Sequence, residues 1–214
     1  MIDLNKLKKE QLKLAKKITT NQNLKKIISV AGASRAYIGN KIISSVVVCD
    51  YKSLKVIEKQ HSISEAKIPY TSGLLFYREG PSIIETYNKL EKRPDVLIVE
   101  GNGILHPRKI GMASHLGILL DIPTIGVAKR LMLGQIREKT IYSDKEAIGY
   151  ELTTKEHSKP IYISPGHKIS LKSSLEVIKG CLRFPHKLPE PLHLAHKYTN
   201  KVKNESSIIE NTKN

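Results

Sequence analysis

The stretch from Asp95 to Ala128 constrains this chain more than any other. Val96-Leu97-Ile98-Val99 is an unbroken apolar run, and Thr124-Ile125-Gly126-Val127-Ala128 is a second. Strands that face water on one side alternate polar and apolar residues. Continuous apolar strands are covered on both faces, the habit of parallel sheets. Between the two runs, Gly111 to Leu120 is rich in small and aliphatic residues and reads as a helix. Strand–helix–strand with this patterning predicts parallel pairing through a right-handed crossover. The first run ends in Glu100-Gly101-Asn102-Gly103, with His106-Pro107-Arg108 close behind. A carboxylate at the end of a central strand, followed by glycines and then basic groups, suits phosphodiester chemistry.

The rest of the chain fits around this unit. Met1 to Lys17 reads as a basic amphipathic helix with Leu4, Leu7, Leu12 and Leu14 among lysines. Ile27 to Ala33, Ile42 to Tyr51 and Leu54 to His61 read as three strands in an antiparallel meander. Pro81 to Leu90 carries Ile83, Ile84, Tyr87 and Leu90 at helical spacing, with Pro81 suited to a first turn. Weaker strands are expected at Ala147 to Thr153 and Pro160 to Ser164, and closing helices at Ser173 to Cys181 and Leu192 to Lys203. Residues 1–204 are expected to form one α/β domain, with the basic helix of residues 1–25 packed on it. Residues 205–214 lack an apolar face and are expected to be a frayed tail.

Charge narrows the class of partner. Thirty-six Lys and Arg against twenty Asp and Glu give a formal net charge of +16. Such a surplus favours polyanions, because neutralising phosphates releases condensed counterions; a Lys-rich solubilising surface is the alternative. Cys49 and Cys181 have no metal-ligand spacing and lie in apolar runs, so free buried thiols in a reducing compartment are expected. No secretory signal pattern and no stretch of membrane-span length is present, and the expected location is cytoplasmic.

Several groups are candidates for chemistry. Glu100 with its glycine turn suits Mg²⁺ or Mn²⁺, or is simply an acid leaving a strand. Glu79 in Tyr77-Arg78-Glu79-Gly80-Pro81 is read as lying just before a helix. There it is either a second metal ligand or a charge favoured by the helix dipole. Pro69-Tyr70-Thr71-Ser72-Gly73-Leu74-Leu75 displays Tyr70 in a turn, to stack on an unstacked base or to pack on its own domain. Lys129 follows a buried strand, where it would aim an ammonium at a phosphate. His115 lies in a small-residue helix and is read as a satisfied, partly buried histidine. His167 follows Ser164-Pro165-Gly166, read as a rigid turn before a helix whose amides bind an anion.

Taken together, Pro69 to Leu75, Arg78-Glu79-Gly80-Pro81, Gly101-Asn102-Gly103, His106-Pro107-Arg108, Ala113 to Gly117, Pro123 to Lys129, Ser164 to His167, Pro189-Glu190-Pro191 and Ala195-His196 closely resemble the endonuclease V family. In order and spacing the match runs from about Val30 to Thr199. The resemblance implies a ribonuclease H-like mixed sheet flanked by helices. It also implies Mg²⁺-dependent hydrolysis (Mn²⁺ being an alternative ion) of a phosphodiester near a deaminated base, hypoxanthine or inosine, in DNA or RNA. It implies a wedge at Tyr70 with Gly73 and Leu75, a base pocket floored by Gly101 and Gly103, and nucleic-acid contacts from His106, Arg108 and His115. It makes Glu79, Glu100, Lys129 and His167 the catalytic set, in a protein that acts as a monomer.

Departures from the family pattern are concentrated at the acids. The family's first metal-binding Asp sits in a Gly-x-Asp context, and here Gly32-Ala33-Ser34 puts Ser34 in its place. The second Asp is Glu100, and the middle acid is kept as Glu79. The wedge turn continues as Thr71-Ser72 rather than Ile-Pro, and Asn102 replaces the commoner His or Gln. A hydroxyl is a poor ligand for Mg²⁺, which demands near-octahedral oxygen geometry. Two functions therefore follow: an endonuclease with a weaker metal site, or a paralogue that binds deaminated or distorted nucleic acid without cutting it.

Overall fold

The computed structural model describes residues 3–24 and 26–211, with side chains described as far as residue 208. Its centre is a nine-stranded mixed sheet in the order β3-β2-β1-β4-β5-β9-β8-β7-β6. The meander is β1 (Ser29–Ile38), β2 (Lys41–Asp50) and β3 (Val56–Glu65), all antiparallel. Next to β1, β4 (Val96–Glu100) and β5 (Thr124–Ala128) run parallel to it, as their unbroken apolar character requires. On the far side of β5, β9 (Ile161–His167) returns antiparallel and leads to β8 (Glu146–Leu152), β7 (Thr140–Ser143) and β6 (Gln135–Arg137).

Helices cover both faces. α2 (Leu75–Tyr87) and α3 (Met112–Leu120) pack on one, burying Ala31, Ala33, Leu97 and Val99 against Phe76, Ile83 and Leu116. α4 (Leu171–Gly180) and α5 (Glu190–Asn211) cover the other, burying Val30, Ile98, Ile125 and Val127 against Val177, Leu192 and Ala195. The alternation along β1, β4 and β5 is thus a switch between two cores, not between core and water. Cys49 and Cys181, distant in sequence, are free and buried in the second core, where burial pushes both thiols up to about 12. No helix among the described residues is long and apolar enough to cross a membrane.

Several elements differ from the sequence expectation. α2 begins six residues before Pro81, which lies inside the helix. The extra turns are held by apolar burial of Phe76 and by the close seat of Gly80, where a Cβ would stand 2.2 Å from the Phe76 ring. Glu79 is consequently an interior helix residue and not a charge at a helix start. Ser164-Pro165-Gly166-His167 is not a turn: it is the end of β9, carried past Pro165 by a register shift against β5. β6 and β7, short and mostly polar, were not expected from the pattern. α5 continues to Asn211, so most of the expected tail is helical, and residues 212–214 lie outside the described part.

α1 (Leu4–Ala15) starts at an Asp3 cap whose side chain accepts the amides of Asn5 and Lys6. Its buried Gln11 donates to the Gly73 carbonyl at 3.0 Å, and Tyr77 donates its hydroxyl to the Leu7 carbonyl. The basic helix is therefore fastened to the loop that carries Tyr70.

Candidate active site

The parallel register of β1, β4 and β5 brings three strand ends to one rim of the sheet. Ala33 pairs with Val99 and Glu100 with Val127, so Ser34, Glu100 and Lys129 reach that rim together. Ser34, Glu100 and Lys129 continue the face that carries Val30, Ile98 and Val127, the face under α5. Ser34 is fully buried, with its Oγ 3.4 Å from His196 Nδ1 on α5. Lys129 Nζ stands 2.5 Å from Glu100 Oε1. Burial pushes the Glu100 carboxyl up. The hydrogen bond from Lys129 and the charges of Arg35, Lys129 and His196 outweigh it and leave a net downward shift. Glu100 is an anion at neutral pH.

Glu79 comes to the same place from the other face, through α2. It is 3 % exposed, and both its oxygens are engaged: Arg35 donates Nε to Oε2, and Tyr37 donates its hydroxyl to Oε1. The same guanidinium donates Nη1 to the Glu100 carbonyl at 2.6 Å. Arg35 thus lies between the two acidic residues. Burial first, and then the hydrogen bond to Glu79, pushes the Tyr37 hydroxyl up to about 12, so it remains a donor.

Beside the acids lie two concavities that share Gly101, Asn102 and Met132. An open cleft of about 430 Å³ is lined by Arg35, Glu100, Lys129 and Arg130. A smaller cavity of about 90 Å³ is lined by Tyr70, Leu75, Gly101, Asn102, Gly111 and Met112. Asn102 Oδ1 is buried without a partner among the described residues. Tyr70 is 71 % exposed at this cavity, a large aromatic in water. Its loop is braced from beneath. The Gly73 carbonyl accepts from Gln11, from Arg108 Nη2 at 2.7 Å and from the His106 ring, and Arg78 donates to the Ile68 carbonyl.

Several sequence candidates find their places here. Tyr70, Gly73, Leu75 and Gly101 line the small cavity, while Gly103 is sealed beneath it. The Gly103 amide donates to Ser164 Oγ, and a Cβ there would lie 2.0 Å from the Pro165 carbonyl oxygen. The Gly101 amide is likewise used, by the Val127 carbonyl. His106 is buried and Arg108 half-buried under the Tyr70 loop. His115 is buried and stacked on Phe76 at 3.6 Å. Burial, then the neighbouring Arg108, pushes His106 down to about 4; burial, then His106, does the same to His115.

His167 is elsewhere. It pairs with Thr124, at the opposite end of β5 from Lys129, which along a strand is roughly 16 Å. Its Nδ1 faces the Thr19 amide, and burial with Lys168 nearby lowers its pKa. The fold does not bring it to the acids. Sequence reasoning in turn missed Arg35, Tyr37 and the position of His196. The signal for Arg35 was a charged residue inside a strand whose other residues are small or apolar.

With this geometry in hand, likeness to known proteins becomes specific. The endonuclease V family profile matches residues 12–197. The chain belongs to the endonuclease V family. Endonuclease V of Dictyoglomus thermophilum is 39 % identical over 203 residues, covering 91 % of this chain and 88 % of that protein. The endonuclease V structure from Bacillus subtilis superposes with a TM-score of 0.88 at 31 % identity, covering 97 % of this chain and 94 % of the other. The D234N endonuclease V of Ciona intestinalis, in complex with a 23mer DNA containing an inosine followed by a ribo-adenosine, gives 0.85 at 28 % identity, covering 96 % and 99 %. The fold is ribonuclease H-like, and membership makes the chain a nuclease by class, a phosphodiester hydrolase.

Enzymes of the endonuclease V family depend on a metal, with Mg²⁺ the usual ion. The donors in this chain do not fit one as they stand. Mg²⁺ wants near-octahedral oxygen ligation, and no group of three or more His, Cys, Asp or Glu suited to a metal occurs among the described residues. Ser34 supplies a hydroxyl where an acid is expected. Both oxygens of Glu79 are committed to Arg35 and Tyr37, and Glu100 is paired with Lys129.

Proposed function

We propose that this chain recognises a deaminated base, hypoxanthine in DNA or inosine in RNA, and hydrolyses a nearby phosphodiester bond. The observation that carries this reading is the shared wall formed by Gly101 and Asn102. A base lodged in the small cavity leaves its neighbouring phosphate in the open cleft, against Lys129 and Glu100. Extruding a base costs a few kcal/mol and is cheapest for one already mispaired. Tyr70, exposed and held from below, is the group to fill the gap left in the stack. Asn102 Oδ1, an acceptor without a partner, suits the N–H that deamination creates on a purine ring.

In the cleft, Lys129 stabilises the charge that develops on the phosphate oxygens, and Arg130 draws the backbone in. Glu100, held ionised, positions the Lys129 ammonium and orients the attacking water. The basic surface supplies the sequence-independent share of affinity, which falls as salt rises. The protein works as a monomer in the cytoplasm.

A second reading, recognition without cleavage, is favoured by one observation: Glu79 is spent on Arg35 and Tyr37. One experiment separates the two. Purified protein is incubated with labelled inosine-containing DNA and RNA in Mg²⁺ or Mn²⁺. Nicking beside inosine that is lost in Glu100→Ala, and reduced about 10²- to 10³-fold in Lys129→Ala, supports hydrolysis. Selective binding with no nick selects the second reading. Equal binding to inosine-free controls overturns both.

A further inference from the structure

We propose that Arg35 is a resident cation of this site, standing in the electrostatic place of the divalent ion, so that the protein engages nucleic acid without one. The inference rests on reading Glu79 and Glu100 as the reacting site.

Three observations carry it. Arg35 ties the two acidic residues together, through the Glu79 carboxylate and the Glu100 backbone carbonyl. The ion pair is well sheltered, with side chains 13 % and 4 % exposed, so solvent does little to screen it. Tyr37 engages the other oxygen of Glu79, so a metal of strict geometry would have to compete with a hydrogen bond at each carboxylate oxygen. Arg35 also lines the open cleft beside Lys129. From there the rest of its planar fork would meet a phosphate lodged in the cleft, a group guanidinium recognises well.

The charges at the site form a coherent set. Ser34 in the place of the first acid leaves the cluster one negative charge short, and Arg35 beside it supplies a positive one. Two carboxylates, Glu79 and Glu100, are thus balanced by one guanidinium and one ammonium. Ser34 Oγ is directed to His196 Nδ1. Adding a divalent ion would leave an excess of positive charge around the two acids, and it would have to displace Arg35 from Glu79 first.

The test measures Mn²⁺ binding directly, by electron paramagnetic resonance and calorimetry, in the absence of nucleic acid. The wild-type chain should bind no Mn²⁺ below the millimolar range. Arg35→Leu should raise Mn²⁺ affinity at least tenfold, and Arg35→Lys, which keeps a cation, should not. If Arg35→Leu does not fold, Arg35→Gln takes its place. In parallel, affinity for inosine-containing DNA should be the same in EDTA and in Mg²⁺. Submillimolar Mn²⁺ binding by the wild type that is lost in Glu79→Gln overturns the proposal, as does an unchanged affinity in whichever neutral variant folds. Absence of any preference for inosine would overturn the proposed function instead, and leaves the Mn²⁺ measurement to decide this one.

Discussion

At the scale of single residues, the brace under Tyr70 is the part of the site most open to test. Gly73 holds φ at +73°, and its carbonyl gathers three donors. In that backbone region an L side chain costs about 1–2 kcal/mol. A Cβ at Gly73 would also lie 2.7 Å from Arg108 Nη2, the atom that donates to the Gly73 carbonyl. Gly73→Ala should therefore lower stability modestly and loosen the Tyr70 loop. The expected outcome is a fall in discrimination for inosine larger than the fall in affinity for plain DNA, read by competition binding. Equal loss on both would return the loop to a purely structural role. The residue scale is also where the sequence was least legible. Glu100, Lys129 and Tyr70 were singled out from strand ends and turn chemistry. Arg35 was not, because its meaning depends on α2 arriving from the opposite face with Glu79. His167 was placed with the acids because the resemblance carried it there, while the register of β9 sends it to the other end of the sheet.

At the scale of elements, most strands were legible because their apolar runs are unbroken, and β5 was bounded correctly for that reason. α2 was misread at its start, since Pro81 was taken as a first-turn signal when the chain tolerates it mid-helix. The loss of one backbone donor there is offset by burial of Phe76, Ile83 and Tyr87. The β9 terminus was misread because Pro and Gly together resemble a turn. What the pattern could not show is that this Pro-Gly segment closes over Gly103. Its carbonyl lies where a Gly103 side chain would be, and the Ile104 amide donates to it at 2.8 Å. Gly103→Ala must push two backbones apart, at a cost of about 3 kcal/mol or more. In a domain of this size that is a Tm drop of roughly 6–12 °C. Gly39→Ala is the control: its φ is +52° but nothing lies within 4 Å, so only the backbone term, on the order of 1 kcal/mol, applies. Comparable Tm losses in the two variants would show that β9 does not seal the turn after β4 as described.

At the scale of the whole molecule, the response to acid follows from two histidines buried neutral between the Tyr70 loop and α3. His106 and His115 both have pKa values pushed down to about 4 in the fold, against the ordinary 6.5 they regain on unfolding. Between those values the unfolded chain binds more protons than the folded one, so stability falls as pH falls. The contribution is complete above about pH 6.5 and is lost progressively down to pH 4. A shift of this size corresponds to at most about 3 kcal/mol for each histidine. The two sites are neighbours, His106 lowering His115, so the losses will not simply add. Because the neutral His106 ring accepts the Arg108 amide at Nδ1, protonation costs that hydrogen bond and places a second charge beside the Arg108 guanidinium, which should loosen the brace under the Tyr70 loop. Inosine discrimination should therefore hold from pH 6.5 to 5 while Tm falls, and decline only as pH approaches 4, where the folded histidines begin to protonate. In His115→Gln, which keeps a polar ring-sized group but cannot ionise, the drop in Tm from pH 7 to pH 5 should be smaller than in the wild type. An identical drop in both would place the acid sensitivity outside this pair.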